Sequence, residues 1–385
     1  MASQATGPLS GVKVLEVAGM GPGPFCAMVL SDFGASVIRV DRADVVGDAE
    51  GDAIAAVDVM SRGRRSVAVD LKRPSGVDLV LRLAERADVL IEGYRPGVME
   101  RLGLGPRTCL ERNPRLVYGR VTGWGQDGPW AAQAGHDINY IALAGTLWPV
   151  GRAGEAPVPP LNYVGDFGGG GMLLAVGICA ALAERGVSGR GQVIDAAMVD
   201  GAALLNGFMY GMRAMGRWGT ERGSNLLDTG APFYETYETA DGKWVSVGSI
   251  ESKFFRNLVT TLGLDIDVAT QNDEAAWPAL REKLAAIFRT RTRDEWTRLL
   301  ADADACFAPV LSPWEAPGHP HNVARGTFAE SYGVTQPTPA PRFSRTPGAI
   351  AGPPPLPGQH TDEILGELGL DATAITGLRS AGDIA

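Results

Sequence analysis

The stretch from Val12 to Asp41 reads VKVLEVAGMGPGPFCAMVLSDFGASVIRVD, and its pattern decides the fold class. Val12 to Val17 is a short, mostly apolar run with a strand's length, as expected of a strand buried on both faces. A loop of alternating glycine and proline, Gly19 to Pro24, follows, and Phe25 to about Phe33 carries an apolar helix. Ser36 to Val40 is a second strand, closed by Asp41. Strand, glycine loop, helix, strand and acidic residue form the outline of a dinucleotide-binding unit. The detail argues against that ligand. Such a loop offers backbone N–H groups to a pyrophosphate, and Pro22 and Pro24 have none. The stretch predicts a doubly wound α/β topology without a nicotinamide site.

Outward from it, strands at Ser66–Asp70, Asp88–Glu92, Arg115–Val121 and Gln192–Ala196 alternate with helical spacing, at Val77–Ala87 and after Arg95-Pro96-Gly97. Alternation of this kind implies a parallel sheet, whose ligands bind beyond the carboxyl ends of the strands. Arg42, Arg95 and the turn-rich loop Thr122–Pro129 fall at that end. The basic residues Arg62, Arg64, Arg65, Lys72 and Arg73 flank the third strand; they suit a polyphosphate, or they are a solvated charged face. Asp44 to Asp58 is acidic and reads as an exposed loop. After Gly191 the pattern changes. A long apolar helix is expected from Met198 to Met215, where Met209, Met212 and Met215 form either an adaptable apolar wall or core contacts. A hairpin over Tyr234–Tyr237 and Trp244–Val247 opens a new unit, followed by Glu251 near a helix start, helices within 277–304 and a strand from Asp304. Residues 336–358 read as a proline-rich strap and His360–Leu368 as a last helix.

The 385 residues allow one large or two ordinary domains, and 45% apolar with 21% charged residues fits a globular enzyme with an ample core. A net charge of −9 leaves no basic surplus for nucleic acid. The amino-terminal MASQATGPLSG lacks signal-peptide character, and the apolar run 172–183 is too short to span a bilayer. Four scattered cysteines suit a reduced cytoplasmic protein. Four scattered histidines offer no evident metal site.

Two glycine-flanked segments carry the chemistry. One is Gly135-His136-Asp137-Ile138-Asn139-Tyr140; the other runs Val164-Gly165-Asp166-Phe167 into Gly168–Gly171. His136 and Asp166 can be the two ends of one proton-transfer site, with N–H groups of a helix start after Asp166 holding an oxyanion. Alternatively Asp166 caps a buried helix and the glycines let it pack closely.

These segments, with Gly19-x-x-Pro22-Gly23-Pro24-Phe25, Ser66-x-x-x-Asp70-Leu71-Lys72, Arg95-x-Gly97-Val98-Met99-Glu100-x-Leu102, Asp228-x-Gly-Ala-Pro-Phe-Tyr234 and Gly248-x-Ile-Glu251, resemble the α-methylacyl-CoA racemases of the family III CoA-transferase superfamily, from Leu9 to about Leu370. The resemblance implies a large doubly wound, Rossmann-like domain (1–205 with 325–385) and a smaller α+β domain (206–324), in an interlocked homodimer. It implies catalytic roles for His136 and Asp166, with Glu251 holding the histidine. It places coenzyme A against Arg42, Ala68, Val69, Asp70, Leu71, Arg95 and Gly135–Tyr140. Two departures stand out: the acidic loop 44–58 is longer than expected, and Ser252 follows Glu251 where proline is common. The implied reaction inverts the α-carbon of a 2-methylacyl-CoA, a step in fatty-acid metabolism, through an enolate and two opposed bases. No cofactor is required beyond the CoA of the substrate, and neither nucleic acid nor a membrane span is involved. The competing activity is CoA transfer, with Asp166 as nucleophile.

Overall fold

A computed structural model describes residues 7–385. Residues 1–6 of the stretch read as free of a signal peptide lie outside it. The chain divides into two compact units. One takes the described residues up to Ala144 with Leu161–Leu205 and Ala324–Ala385; the other takes Gly145–Pro160 and Asn206–Val323.

The first unit is built on six strands: β1 (Lys13–Val17), β2 (Ser36–Arg42), β3 (Arg64–Val69), β4 (Val89–Glu92), β5 (Val117–Thr122) and β6 (Val193–Ala197). All pairings are parallel, in the order β3-β2-β1-β4-β5-β6. This is the doubly wound order, which reverses between β1 and β4. Its helices are α1 (Pro22–Asp32), α2 (Ala49–Ala55), α3 (Pro74–Glu85), α4 (Val98–Arg101), α5 (Pro106–Arg112), α6 (Asp137–Leu143), a π-helix (Tyr163–Met172), α7 (Leu173–Ser188) and α8 (Met198–Leu205).

Strand side chains alternate between two faces. Val14, Val37, Val89, Ile91 and Val117 pack with Cys26, Ala27 and Leu30 of α1 and with Leu174 and Ile178 of α7. Leu15, Val17, Val67, Leu90 and Tyr118 pack with Leu79 and Leu83 of α3 and with Ile364 and Leu365. The α1 face is not wholly apolar: Glu16, Arg39, Asp41, Arg64 and Ser66 are all buried.

The glycines after Asp166 wind into helix, so Tyr163–Ser188 is one stretch of 26 residues, longer than the apolar run in the sequence. By length and composition alone it could cross a membrane. One face packs on the sheet through Leu174, Ala175, Ile178 and Ala181, while Met172 and Val176 stay exposed, so the apolar run is not buried on every side. The acidic segment is not a plain loop. Asp48 caps α2 by accepting the Glu50 N–H, and Asp58 accepts the Met60 N–H at 3.1 Å.

The second unit holds α9 (Gly207–Ala214), the antiparallel sheet β7 (Tyr234–Glu238), β8 (Trp244–Gly248) and β9 (Phe307–Val310), and the helices α10 (Ser252–Leu262), α11 (Trp277–Phe288) and α12 (Arg293–Leu300). Phe233, Phe255, Phe288 and Trp296 centre its core. Gly145–Pro160, placed with the large domain by the sequence reading, is bound here: Arg152 pairs with buried Glu235 at 2.8 Å. The single helix expected over Met198–Met215 is two, α8 and α9, interrupted at Asn206-Gly207, both poor helix formers. No residue of α9 is buried, so its methionines are not core. Next come α13 (Pro320–Arg325), a hairpin of β10 (Phe328–Ser331) and β11 (Val334–Pro337), α14 (Thr361–Glu367) and α15 (Ala372–Ala381). The hairpin and α15 were not expected from the sequence. The tail returns to β3, where Ile384 bridges Val69 and the Asp70 N–H donates to the Asp383 carbonyl at 2.9 Å.

Candidate active site

Asp166 lies where the sheet order reverses. The carboxyl end of β1 runs through Gly19 to Gly21, which adopts φ +69° and caps α1. A Cβ on Gly21 would stand 3.2 Å from Asp166 Oδ2, so the left-handed turn and the carboxylate's approach both call for glycine. The π-helix that carries Asp166 is seated by further close approaches. A Cβ on Gly171 would meet the Pro22 carbonyl oxygen at 2.6 Å, and one on Gly201 would meet the Gly169 carbonyl oxygen at 1.9 Å. Phe167 stacks on Phe25 with ring centroids 4.6 Å apart. Long π-helices are rare and concentrate at functional sites.

Asp166 is neither a cap nor the residue before a helix. It is the fourth residue of the π-helix, whose cap is Asn162. Its N–H donates to Asp137 Oδ2 at 2.7 Å, and the Phe167 N–H donates to the Asn162 carbonyl at 3.2 Å. Both donors are therefore committed, and the free first-turn N–H groups expected after Asp166 are not found there. The half-buried carboxyl of Asp166 is pushed above the usual aspartate range, first by desolvation and further by the Asp137 charge. A hydrogen bond from Asn162 Nδ2 to Oδ2 at 3.3 Å and the His136 imidazole oppose the shift.

His136 is the cap residue of α6, with extended backbone and an exposed side chain. Its N–H donates to Asn139 Oδ1 at 3.0 Å, and the Asn139 N–H returns to the His136 carbonyl at 2.8 Å. Asp137 turns inward to Asp166 and is buried, while Ile138 is exposed. Tyr140 donates its hydroxyl to the Gly135 carbonyl and lies edge-on to Trp124 at 4.8 Å. A Cβ on Gly135 would come within 2.7 Å of the Tyr140 ring, which fixes glycine before the histidine. The structure thus brings His136 and Asp166 into one site. The sequence reading missed Asn162 as a partner of Asp166, although its i,i+4 spacing was a usable signal.

Glu251 belongs to the second unit. It is the cap residue of α10, exposed, and its carboxylate makes no capping hydrogen bond. The nearby Cys306 thiol is pushed up by desolvation first and then by the Glu251 charge.

The basic residues separate clearly. Arg62 is buried against Asp32 and Gln336, Arg64 against Glu16, and Arg65 reaches Glu363 and Glu367. These three are structural. Arg42 is exposed and, among the described residues, pairs only with exposed Asp44, Nε to Oδ1 at 2.8 Å. Arg95 is exposed, forms no ion pair among the described residues, and favours the ionised form of Tyr140. Ala68 and Val69 are fully buried, and Ala68 N–H donates to Thr361 Oγ1 at 3.2 Å. Asp70 and Leu71 remain partly exposed beyond the strand end.

The family model for CoA-transferase family III matches residues 9–361. The chain belongs to CoA-transferase family III. This family III chain is 48% identical over 375 residues to an α-methylacyl-CoA racemase of Mus musculus, covering 97% of the chain and 96% of the relative. It is 46% identical over 376 residues to an α-methylacyl-CoA racemase of Homo sapiens, again covering 97% and 96%. A crystal structure of a CAIB/BAIF family protein from Brucella suis shares the family III fold at TM-score 0.80, with 27% identity, over 94% of this chain and 100% of that one.

Proposed function

We propose that this protein is an α-methylacyl-CoA racemase, working in a reduced, cytoplasmic compartment that suits its four free cysteines. The observation that carries the mechanism is an Asp166 carboxyl raised by desolvation and lying within reach of the His136 charge. Inversion needs one base to take the α-proton from one face and one acid to return a proton to the other. An ionised base on one face and a protonated acid on the other can exchange those roles. One base removes the proton of the 2-methylacyl thioester, the electron pair moves onto the thioester oxygen, and the conjugate acid opposite reprotonates the α-carbon. The donors at Asp166 and Phe167 are occupied, so they are not available to the enolate oxygen. Arg42, Arg95, the Asp70–Leu71 strand end and Gly135–Tyr140 hold the CoA portion.

The enzyme works as a homodimer. Phe208, Tyr210 and Met215 of the second unit are each more than half exposed, apolar side chains that a second copy would cover. A stable, fully active monomer in sedimentation would count against it.

The decisive experiment incubates one pure 2-methylacyl-CoA enantiomer in deuterated buffer and analyses both products. Racemisation places solvent deuterium at the α-carbon of each. His136→Ala and Asp166→Ala should each abolish inversion, a loss on the order of 10²–10⁴-fold, and leave residual exchange on opposite enantiomers. CoA transfer through Asp166 instead predicts a hydroxylamine-sensitive adduct, near-normal His136→Ala enzyme and no α-deuterium.

A further inference from the structure

Beneath α1 lies a buried ion pair that the proposed reaction does not use. Glu16 on β1 and Arg64 on β3 are both essentially inaccessible, with Arg64 Nε 2.9 Å from Glu16 Oε2. The pairing is coulombic rather than well hydrogen-bonded: both Glu16 carboxylate oxygens and Arg64 Nε and Nη1 lack an aligned partner. Burial pushes the Glu16 carboxyl up, and the Arg64 charge opposes that shift. A pair so poorly satisfied is a weak source of stability, since apolar replacements of similar volume are often neutral or better. What Arg64 does make is a hydrogen bond from Nη2 to the Pro24 carbonyl, in the first turn of α1.

That turn is the floor on which Asp166 rests. Gly21 faces the Asp166 carboxylate, the Pro22 carbonyl meets Gly171, and Phe25 stacks on Phe167. Three contacts thus connect the α1 turn to the π-helix, and Arg64 grips the same turn from the sheet side.

We infer that Glu16 and Arg64 are positioning residues for Asp166: Glu16 holds the guanidinium, Arg64 fixes the first turn of α1, and that turn sets the height and tilt of the Asp166 carboxylate. Neither residue touches substrate. The inference rests on the racemase reading and adds to it that only one of the two bases depends on this pair. His136 caps α6, and among the described residues no hydrogen bond or ion pair joins α6 to Glu16 or Arg64.

The test follows α-deuterium exchange in the full-length enzyme, starting from each pure enantiomer. The enantiomer facing Asp166 is defined as the one still exchanged by His136→Ala. Arg64→Met should slow exchange of that enantiomer by about 10–100-fold, the cost of a small misplacement of a reacting group, and slow exchange of the other far less. Glu16→Leu combined with Arg64→Met should melt at or above the temperature of Arg64→Met alone, because no unpaired charge is left buried. It should keep the same one-sided defect. Arg64→Lys, which retains the charge, should recover part of the lost exchange. Equal slowing for both enantiomers, or full recovery in the double variant, overturns the inference while leaving the racemase reading intact. Wild-type enzyme that incorporates no deuterium overturns both.

Discussion

Asp137 Oδ2 accepts the peptide N–H of Asp166 at 2.7 Å. This hydrogen bond ties the helix that begins at His136 to the helix that carries Asp166, across 29 residues of sequence. The residue next to one proposed base therefore fixes the backbone of the other, and its charge also helps raise the Asp166 carboxyl.

Two substitutions separate these roles. Asp137→Asn keeps an acceptor oxygen but removes the charge, so the Asp166 pKa should fall and the acid limb of kcat/KM against pH should move to lower pH. Asp137→Ala leaves the part-buried Asp166 N–H without its acceptor, a penalty of up to about 1–3 kcal/mol, and should lower kcat at every pH. Identical profiles for the two variants would show that the acceptor does not matter.

Asn162 favours the ionised form of Asp166 by donating to Oδ2. In Asn162→Ala that support is gone while desolvation remains, so the Asp166 pKa rises further. Where Asp166 acts as the base it must be ionised, and the acid limb for that enantiomer should move up by up to about one pH unit. An unchanged or lowered limb in the pH profile would rule out Asn162 as a tuning residue.

Arg42 is paired with Asp44. If Arg42 holds a CoA phosphate as proposed, the phosphate must displace that carboxylate, so Asp44→Ala should lower KM for acyl-CoA and Arg42→Ala should raise it. Arg95→Ala should also raise KM, since contacts of this kind are made equally in ground and transition states and leave kcat nearly unchanged. Steady-state kinetics at two salt concentrations measures all three, with smaller effects at high salt. A large fall in kcat at constant KM would contradict the phosphate role.

Backbone proximity makes Gly201 a sharp test of the π-helix. Its Cβ would fall 1.9 Å from the Gly169 carbonyl oxygen, so Gly201→Ala must push α8 off the π-helix. Overpacking of this kind costs about 1–3 kcal/mol or more, and activity should fall as Asp166 shifts. Gly186 in α7 is the control: nothing lies within 4 Å of its Cβ position. Gly186→Ala should stabilise by about 0.5–1 kcal/mol through helix propensity. Thermal unfolding followed by circular dichroism reads both.

Much of this molecule was legible before any coordinates. The 12–41 pattern gave the parallel α/β class because strand length and glycine loops are local properties. Pro22 and Pro24 argued against a nicotinamide loop for an equally local reason, the missing N–H. The arginines were not legible. Arg62 finds Asp32 and Gln336, and Arg65 finds Glu363 and Glu367, partners up to about 300 positions away that no spacing announces. The helix break at Asn206-Gly207 was hidden by the apolar residues on either side, which keep helical spacing through it.

By itself the sequence determined the fold class and the two glycine-flanked segments that hold His136 and Asp166, because these depend on residue type and short-range order. The tertiary structure decided which charges are structural and which stay open to solvent, since that depends on long-range burial and pairing. It also decided the environment of Asp166. Its raised carboxyl comes from desolvation in the crevice at the β1–β4 reversal, beside Asp137, and its N–H is committed across the fold. A carboxylate's pKa is set by what surrounds it in space, and those surroundings exist only once the π-helix has packed onto the first turn of α1.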